Sequence, residues 1–279
     1  MIEVLSPGFY TTIQDQGRTG FRSLGIPQSG AMDVQAFELA NALLPNKKNK
    51  TVFECTFIGP KLLLKSAVKF IIVGAEIDAH LDDSPVFMNQ VYHANIGAIL
   101  ELGKVIKGVR SYIRFAAIVS IDNPFDSVSF FFPITKNSVI QRKDRFEIEP
   151  FLTSGKTNAH LRVNTSYLDE KYLEVKEGPD WNVLPKQKQK LILKETHKII
   201  SQNRMGYRLD SSVEFEATNL ASQIVIPGIV QLSPGGTILV ATADCQVTGG
   251  YLQILMLNKE SLSCLVQKRE GEEVQFKLK

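Results

Sequence analysis

Apolar positions along this chain fall into short runs with strand-like spacing, separated by polar loops dense in Gly, Asn, Asp and Arg. Residues 2–5 make the first run, closed by Ser6-Pro7-Gly8. Residues 11–33 show almost no apolar periodicity and read as one long polar loop that cannot supply a core. After it Asp33 is a good N-cap, and Ala36, Leu39, Ala40 and Leu43 recur at helical spacing until Pro45-Asn46 stops the helix. From 51 to 149 the pattern turns to β. The runs 51–57, 68–74, 77–81, 86–93, 98–102 and 111–116 are rich in Val, Ile, Phe and Thr, with turn signals at Gly59-Pro60, Asp82-Asp83-Ser84 and Asn95-Ile96-Gly97. Strands at this spacing suggest a barrel or sandwich rather than alternating βαβ units. Residues 127–132, with three successive aromatics, are expected to add a buried strand.

The segment 152–158 reads as a domain junction, and 159–163 as strand-like. Pro185 opens a helix to about 193, since proline suits a first turn. Strand patterning returns at 196–201, 229–232, 237–242, 251–257 and 273–278, with a short helix at 259–267. A second polar knot, Asn203-Arg204-Met205-Gly206-Tyr207-Arg208, interrupts it. The chain is therefore expected to be mainly β with a few short helices.

At 279 residues, two domains are more natural than one, because a single core stops growing near about 250–300 residues. Composition changes the picture little: 44% of residues are hydrophobic, 22% charged, and the formal charge is +3. The basic clusters Lys47-Lys48-Asn49-Lys50 and Lys186-Gln187-Lys188-Gln189-Lys190 lack interleaved aromatics and read as solvated turns or helix faces, so no nucleic-acid partner is expected. Cys55, Cys245 and Cys264 have no CxxC spacing and suggest no disulfide framework. With no basic leader and no long apolar run, neither signal peptide nor membrane span is expected, and the expected compartment is the cytoplasm.

Four polar clusters are candidates for chemistry: Gln14-Asp15 with Arg18; Ser29 to Asp33; Asn203-Arg204 with Arg208; and Asp244-Cys245-Gln246-Val247-Thr248-Gly249-Gly250-Tyr251. Together they offer carboxylates for proton transfer, guanidinium forks for carboxylate or phosphate, and glycine N–H groups for an oxyanion. The four histidines show no metal-ligand spacing, so no metal is expected. No GxxxxGK[ST], GxGxxG or GxSxG occurs, which argues against P-loop, Rossmann and serine-hydrolase chemistry.

Read together, Thr-Thr-Ile-Gln-Asp-x-Gly-Arg, Gly-Ile-Pro-x-Ser-Gly-Ala-Met-Asp, Asn-Arg-Met-Gly-Tyr-Arg-Leu and Asp-x-Gln-x-Thr-Gly-Gly-Tyr resemble the family of 5-oxoprolinase C subunits and biotin-dependent carboxyltransferases, also described as allophanate hydrolase subunit 2 or Kip antagonist type. The resemblance runs through essentially the whole chain. It implies two cyclophilin-like β-barrels, expected here as 50–152 and as 1–49 plus 153–279, the latter carrying the N-terminal loop and helix. It implies a B-subunit homologue as direct partner and an A-subunit homologue as functional partner. The complex would hydrolyse 5-oxoproline to glutamate, with ATP as its co-substrate. Related sequences transfer a carboxyl group from carboxybiotin to urea; this chain has no Met-Lys-Met biotinylation site. A small amide or lactam substrate is thus implied, and a homodimer is left open. The alternatives are a regulatory protein docking a partner of the B-subunit type, or a carboxyltransferase-type component acting on a urea-like substrate.

Carried over by motif, the catalytic candidates are Asp15, Asp33 and Arg204. The substrate-binding candidates are Gln14, Arg18, Ser29, Gly30, Met32, Asn203, Arg208, Gln246, Thr248, Gly249, Gly250 and Tyr251. An arginine would hold an anionic substrate group, with Asp15 or Asp33 orienting it or relaying a proton. Replacing Arg204 with Ala is expected to abolish activity without disturbing the fold. The chain departs from the family pattern at 120–129, which lacks a Gly-Ser-Arg-Ser-type segment, and at Cys245, Val247 and Leu252, where a basic residue, Thr and Pro are usual. Losing a cation and a hydroxyl weakens anion binding.

Overall fold

The first strand, β1 (Ile2–Ser6), buries Ile2 and Val4 and turns Glu3 to the opposite face, the alternation of a half-buried strand. β2 (Tyr10–Gln14) follows at once and corrects the first expectation: residues 11–14 are not loop. Threonines favour the pleated backbone. β2 pairs antiparallel with β3 (Val52–Thr56) along its whole length, from Tyr10 opposite Thr56 to Gln14 opposite Val52. Its other edge is covered by a strap, since Ile13 O accepts from Phe130 N at 2.9 Å and Thr11 O from Ile140 N at 2.9 Å.

The computed structural model describes residues 1–45, 50–151, 163–215 and 221–279. Asn46, the lysines 47 and 48, the junction 152–158 and most of the run 159–163 lie outside the described residues. Between β2 and β3 runs α1 (Val34–Leu43), which packs on β5 (Val68–Leu81) and buries Ala36, Phe37 and Ala40. Burying a ring such as Phe37 contributes about 1.5–3 kcal/mol. Arg114 secures the far end of the helix. Its Nε donates to Leu44 O at 2.8 Å and its Nη1 to Thr51 O at 3.2 Å. Burial lowers the Arg114 pKa to about 10, which leaves a cation at the carbonyl end of the helix at neutral pH.

β4 (Lys61–Leu64), β5, β6 (Val91–Ala94), β7 (Ala98–Phe115) and β8 (Ala117–Val119) complete the main strands of the first unit. The paired runs 68–74 with 77–81, and 98–102 with 111–116, are each one long strand, and the β5–β7 ladder is bulged around Gly74 and Glu76. Gly74 has φ +89°, and a Cβ there would lie 2.6 Å from Arg110 O, so only glycine fits the bend. Of the run 86–93 only β6 is strand. Residues 127–132 form no strand: Phe130 is buried, Phe132 is 67% exposed, and the backbone there serves the strap. The nine-stranded sheet, a half-barrel, runs Arg145–Phe146, β1, β4, β7, β3, β2, with β5 on β7 carrying Ser84–Pro85 and β6. Phe53 anchors its core, edge-on to Phe115 and Phe146 with both centroids at 5.5 Å.

In the second unit β9 (Tyr172–Glu177), β10 (His197–Gln202), β11 (Gly206–Leu209), β12 (Ile229–Leu232), β13 (Ile238–Ala241), β14 (Leu252–Leu257) and β15 (Glu273–Leu278) form a closed barrel. The order is β9-β14-β12-β13-β11-β10-β15, closed by the parallel pair β15–β9. Closure removes sheet edges. Tyr207, Leu209, Val230, Val240 and Phe276 fill the interior. α2 (Lys186–Lys194) starts after Pro185 as expected, and α3 (Lys259–Leu265) is capped by Asn258, whose side chain accepts from Ser261 N at 2.7 Å.

The mainly β class, with three α-helices among the described residues, agrees with the sequence reading. The division of the chain differs from it. One unit is Met1–Gly17 with Asp33–Thr165, the other Arg18–Met32 with Ser166–Lys279. Strands β1 and β2 and helix α1 therefore join the half-barrel, because β1 pairs with β4 and β2 with β3. Among the described residues no helix is long and apolar enough to cross a membrane.

Asp33 Oδ1 accepts from Ala36 N at 3.0 Å, capping α1 inside the protein. Asp33→Ala should lower the unfolding free energy by about 0.5–2 kcal/mol in a urea titration, with Asp33→Asn retaining most of it. Equal stability of Asp33→Ala and wild type would refute the cap.

Candidate functional site

The second unit assembles its cluster from residues far apart in sequence. Arg204, in the turn before β11, places Nε 2.7 Å from Asp244 Oδ2 and Nη2 3.1 Å from Asp244 Oδ1, while the same Nη2 donates to Gly30 O at 2.7 Å. Both side chains are more than nine-tenths buried. Asp244 N and Thr242 Oγ1 both donate to Arg204 O, at 2.8 and 2.7 Å. The Arg204 fork is thus spent on Asp244 and on the loop that carries Gly30. Arg204 holds the site together, contrary to the expectation that its removal leaves the fold intact.

That loop, 18–32, is stitched to the barrel by Ser29 N to Ala243 O at 2.9 Å and to itself by Arg18 N to Gln28 O at 2.6 Å. Ser29 adopts φ +57° and Gly30 φ +92°, which turns the Gly30 carbonyl toward the guanidinium. Met32 is a core residue of the barrel, and Arg18 is buried. Ser29 Oγ is buried with no hydrogen-bond partner among the described residues. Asn203 Oδ1 accepts from Met205 N and Gly206 N at 2.8 and 3.0 Å, a turn-forming role. Arg208 sits on β11 between inward-facing Tyr207 and Leu209 and points to solvent.

The glycine-rich motif lies on the surface of the same unit. Gln246, Thr248, Gly250 and Tyr251 are exposed or half-buried, and Thr248–Gly249 pairs with Gln223–Ile224. A Cβ on Gly249 would stand 2.8 Å from Gln246 Nε2 and 3.0 Å from Gln231 Nε2. Gln231, on β12, is buried, and its Nε2 has no partner among the described residues. No sequence motif marks Gln231, whose one signal is a lone amide between Val230 and Leu232. Cys245 packs with Val225, Ile229 and Ala241, and burial raises its pKa against the opposing pull of Arg22. The thiol is therefore neutral, with the Arg22 side chain beside it.

The first unit holds the other candidates in two groups. Asp15 accepts from Gly17 N at 2.7 Å, Ser127 Oγ and Ser129 Oγ at 2.6 Å each, and Val128 N at 3.0 Å, and it lines a cavity of about 520 Å³ with Lys50, Asn123 and Asp126. Gln14 is buried beside it in sequence; its Nε2 donates to Thr12 Oγ1 at 3.0 Å, and its Oε1 has no partner among the described residues. Asp33 belongs to the second group. Its backbone N–H donates to Tyr112 Oη at 2.8 Å, and that hydroxyl donates to Glu54 Oε2 at 2.9 Å. Burial first, then the Glu54 and Asp33 carboxylates, raise Tyr112 well above the usual phenol range, so it stays a donor. Glu54 and Tyr112 were not foreseen, although a single acid within Val52-Phe53-Glu54-Cys55 marks a buried polar role. Among the described residues no group of three or more His, Cys, Asp or Glu could hold a metal ion.

The Arg204–Asp244 geometry yields a stability test. Arg204→Ala or Asp244→Ala strands a buried charge and should cost about 3–5 kcal/mol, whereas the double replacement Arg204→Met/Asp244→Leu should cost less than either single change. Urea denaturation of the three variants checks this. Additive losses would show that the pair is not coupled.

The chain is 28% identical to the C subunit of 5-oxoprolinase from Escherichia coli K12 and 27% identical to that of Haemophilus influenzae Rd, in each case over 99% of this chain and 90% of the relative. In fold it resembles the crystal structure of K. lactis urea amidolyase with a TM-score of 0.86 at 24% identity, covering 99% of this chain but spanning only 18% of that one. The profile of the carboxyltransferase domain, subdomain A and B, matches residues 24–278, and the chain belongs to that family.

Proposed function

We propose that this chain is the C subunit of an ATP-dependent 5-oxoprolinase, acting with A- and B-subunit homologues to convert 5-oxo-L-proline, ATP and water to L-glutamate, ADP and phosphate. The observation that carries this reading is the near full-length relation, 99% of this chain against 90% of each relative, to two 5-oxoprolinase C subunits. A lactam presents one C=O acceptor and one N–H donor. Gln231 Nε2 and Ser29 Oγ, buried without protein partners among the described residues, supply a donor and a hydroxyl of matching type. The Arg204–Asp244 pair positions the Ser29–Gly30 backbone. ATP enters as co-substrate of the assembled complex, and its residues are not assigned to this chain.

A second reading is a regulatory chain that docks a partner of the B-subunit type without turnover. The saturated Arg204 favours it, since its guanidinium is spent on Asp244 and the Gly30 carbonyl.

Co-expression with the A- and B-subunit homologues of the same genome, followed by an assay of 5-oxoproline-dependent ADP release, separates the two. On the enzyme reading, turnover requires this chain, and Gln231→Leu lowers kcat/KM by about 10–100-fold while the B homologue is still retained in a pull-down. Retention of that homologue with no substrate-dependent ADP release supports the regulatory reading. Turnover by the A and B homologues alone eliminates the enzyme reading.

A further inference from the structure

A cavity of about 910 Å³ opens in the first unit between the strap and the short strand Arg145–Phe146. That volume lies within the roughly 300–1,000 Å³ of small-molecule sites. It is separate from the Asp15 cavity: Ser120, Ile121 and Asn123 form a shared ridge, and Asp15 lines only the smaller space. The lining is amphipathic. Phe130 and Phe146 are buried, and Ile121 and Ile134 are half-buried. Such rings and branched chains make a floor that favours an apolar body.

The remaining lining carries the charge. Lys136 is exposed. Arg145 Nε lies 3.2 Å from Glu3 Oε2, but that carboxylate is also met by Lys65 Nζ at 2.6 Å, and the Arg145 side chain remains 61% exposed. Asp122 is the one carboxylate among the lining residues. Two cations against one acid leave room for a single negative charge, and a dianion would exceed it. Neutral apolar ligands would leave Lys136 unmatched and Arg145 with only the Glu3 carboxylate that it shares with Lys65.

We propose that this cavity is a binding site for a small monocarboxylic acid with an apolar body, its carboxylate at the Lys136 and Arg145 rim and its body over Phe130 and Phe146. The proposal concerns the chain by itself and does not depend on the 5-oxoprolinase reading. Isothermal titration of the full chain with octanoate tests it, with octanamide as neutral isostere and inorganic phosphate as bare anion. Octanoate should bind saturably with Kd on the order of 0.1–1 mM, and octanamide and phosphate at least about tenfold more weakly. Lys136→Glu, at an exposed position, should weaken octanoate by about tenfold or more with an unchanged urea midpoint. Ile134→Trp, which fills the floor, should remove binding. Absence of saturation up to about 10 mM, equal affinity for octanamide or phosphate, or unchanged octanoate affinity in both Lys136→Glu and Arg145→Gln would overturn the assignment.

Discussion

The second unit depends on one buried ion pair that does three jobs. A guanidinium taken out of water costs several kcal/mol unless its donors are met with good geometry. Arg204 meets that demand with two contacts to Asp244 and one to Gly30 O, and its own carbonyl takes the Asp244 N–H and the Thr242 hydroxyl. The pair therefore joins the turn before β11, the segment after β13 and the loop 18–32. Local conformation follows from it: Ser29 and Gly30 hold positive φ because the Gly30 carbonyl must face the cation. Ser29 Oγ, next to Gly30 on that frame, is buried with no hydrogen-bond partner among the described residues.

A carboxylate plays the equivalent part in the first unit. Asp15 gathers four donors, three of them from residues 127–129, more than a hundred positions away. This explains why a stretch with strand-like composition forms no strand. Its backbone and hydroxyls are drawn to Asp15 and Ile13, which leaves Phe132 in solvent while Phe130 enters the core. One acid thus shapes the strap that lines both cavities.

Local signals were legible where one interaction dominates. The cap at Asp33, the Pro185 start of α2 and the barrel strands β10 and β12 to β15 follow from neighbours in sequence, whereas β9 has no counterpart in the sequence reading and β11 lies inside what reads as the polar knot 203–208. Residues 11–14 read as loop from sequence, yet their threonines and glutamine are buried by partners in β3 and the strap, beyond any local window. The long strands β5 and β7 were split because bulges near Gly74 break the period without ending the strand. At the site, motif residues were found by type, but their roles were not. Arg204 looked like a free fork and is a saturated one, and Asp33 looked like an acid for chemistry and is a helix cap. Gln231 carried no motif signal beyond being one amide in an apolar strand.

The loop 18–32 has a consequence for the order of synthesis. It leaves the ribosome between two pieces of the half-barrel, yet its Met32 side chain and Gly30 carbonyl belong to the second unit, and the Gly30–Arg204 contact spans 174 positions. During translation this segment has no native place to go until β11 and β13 exist. Closing so distant a contact is entropically slow. Residues 29–32 therefore reach their native contacts only once the chain has been made through β13 and Ala243.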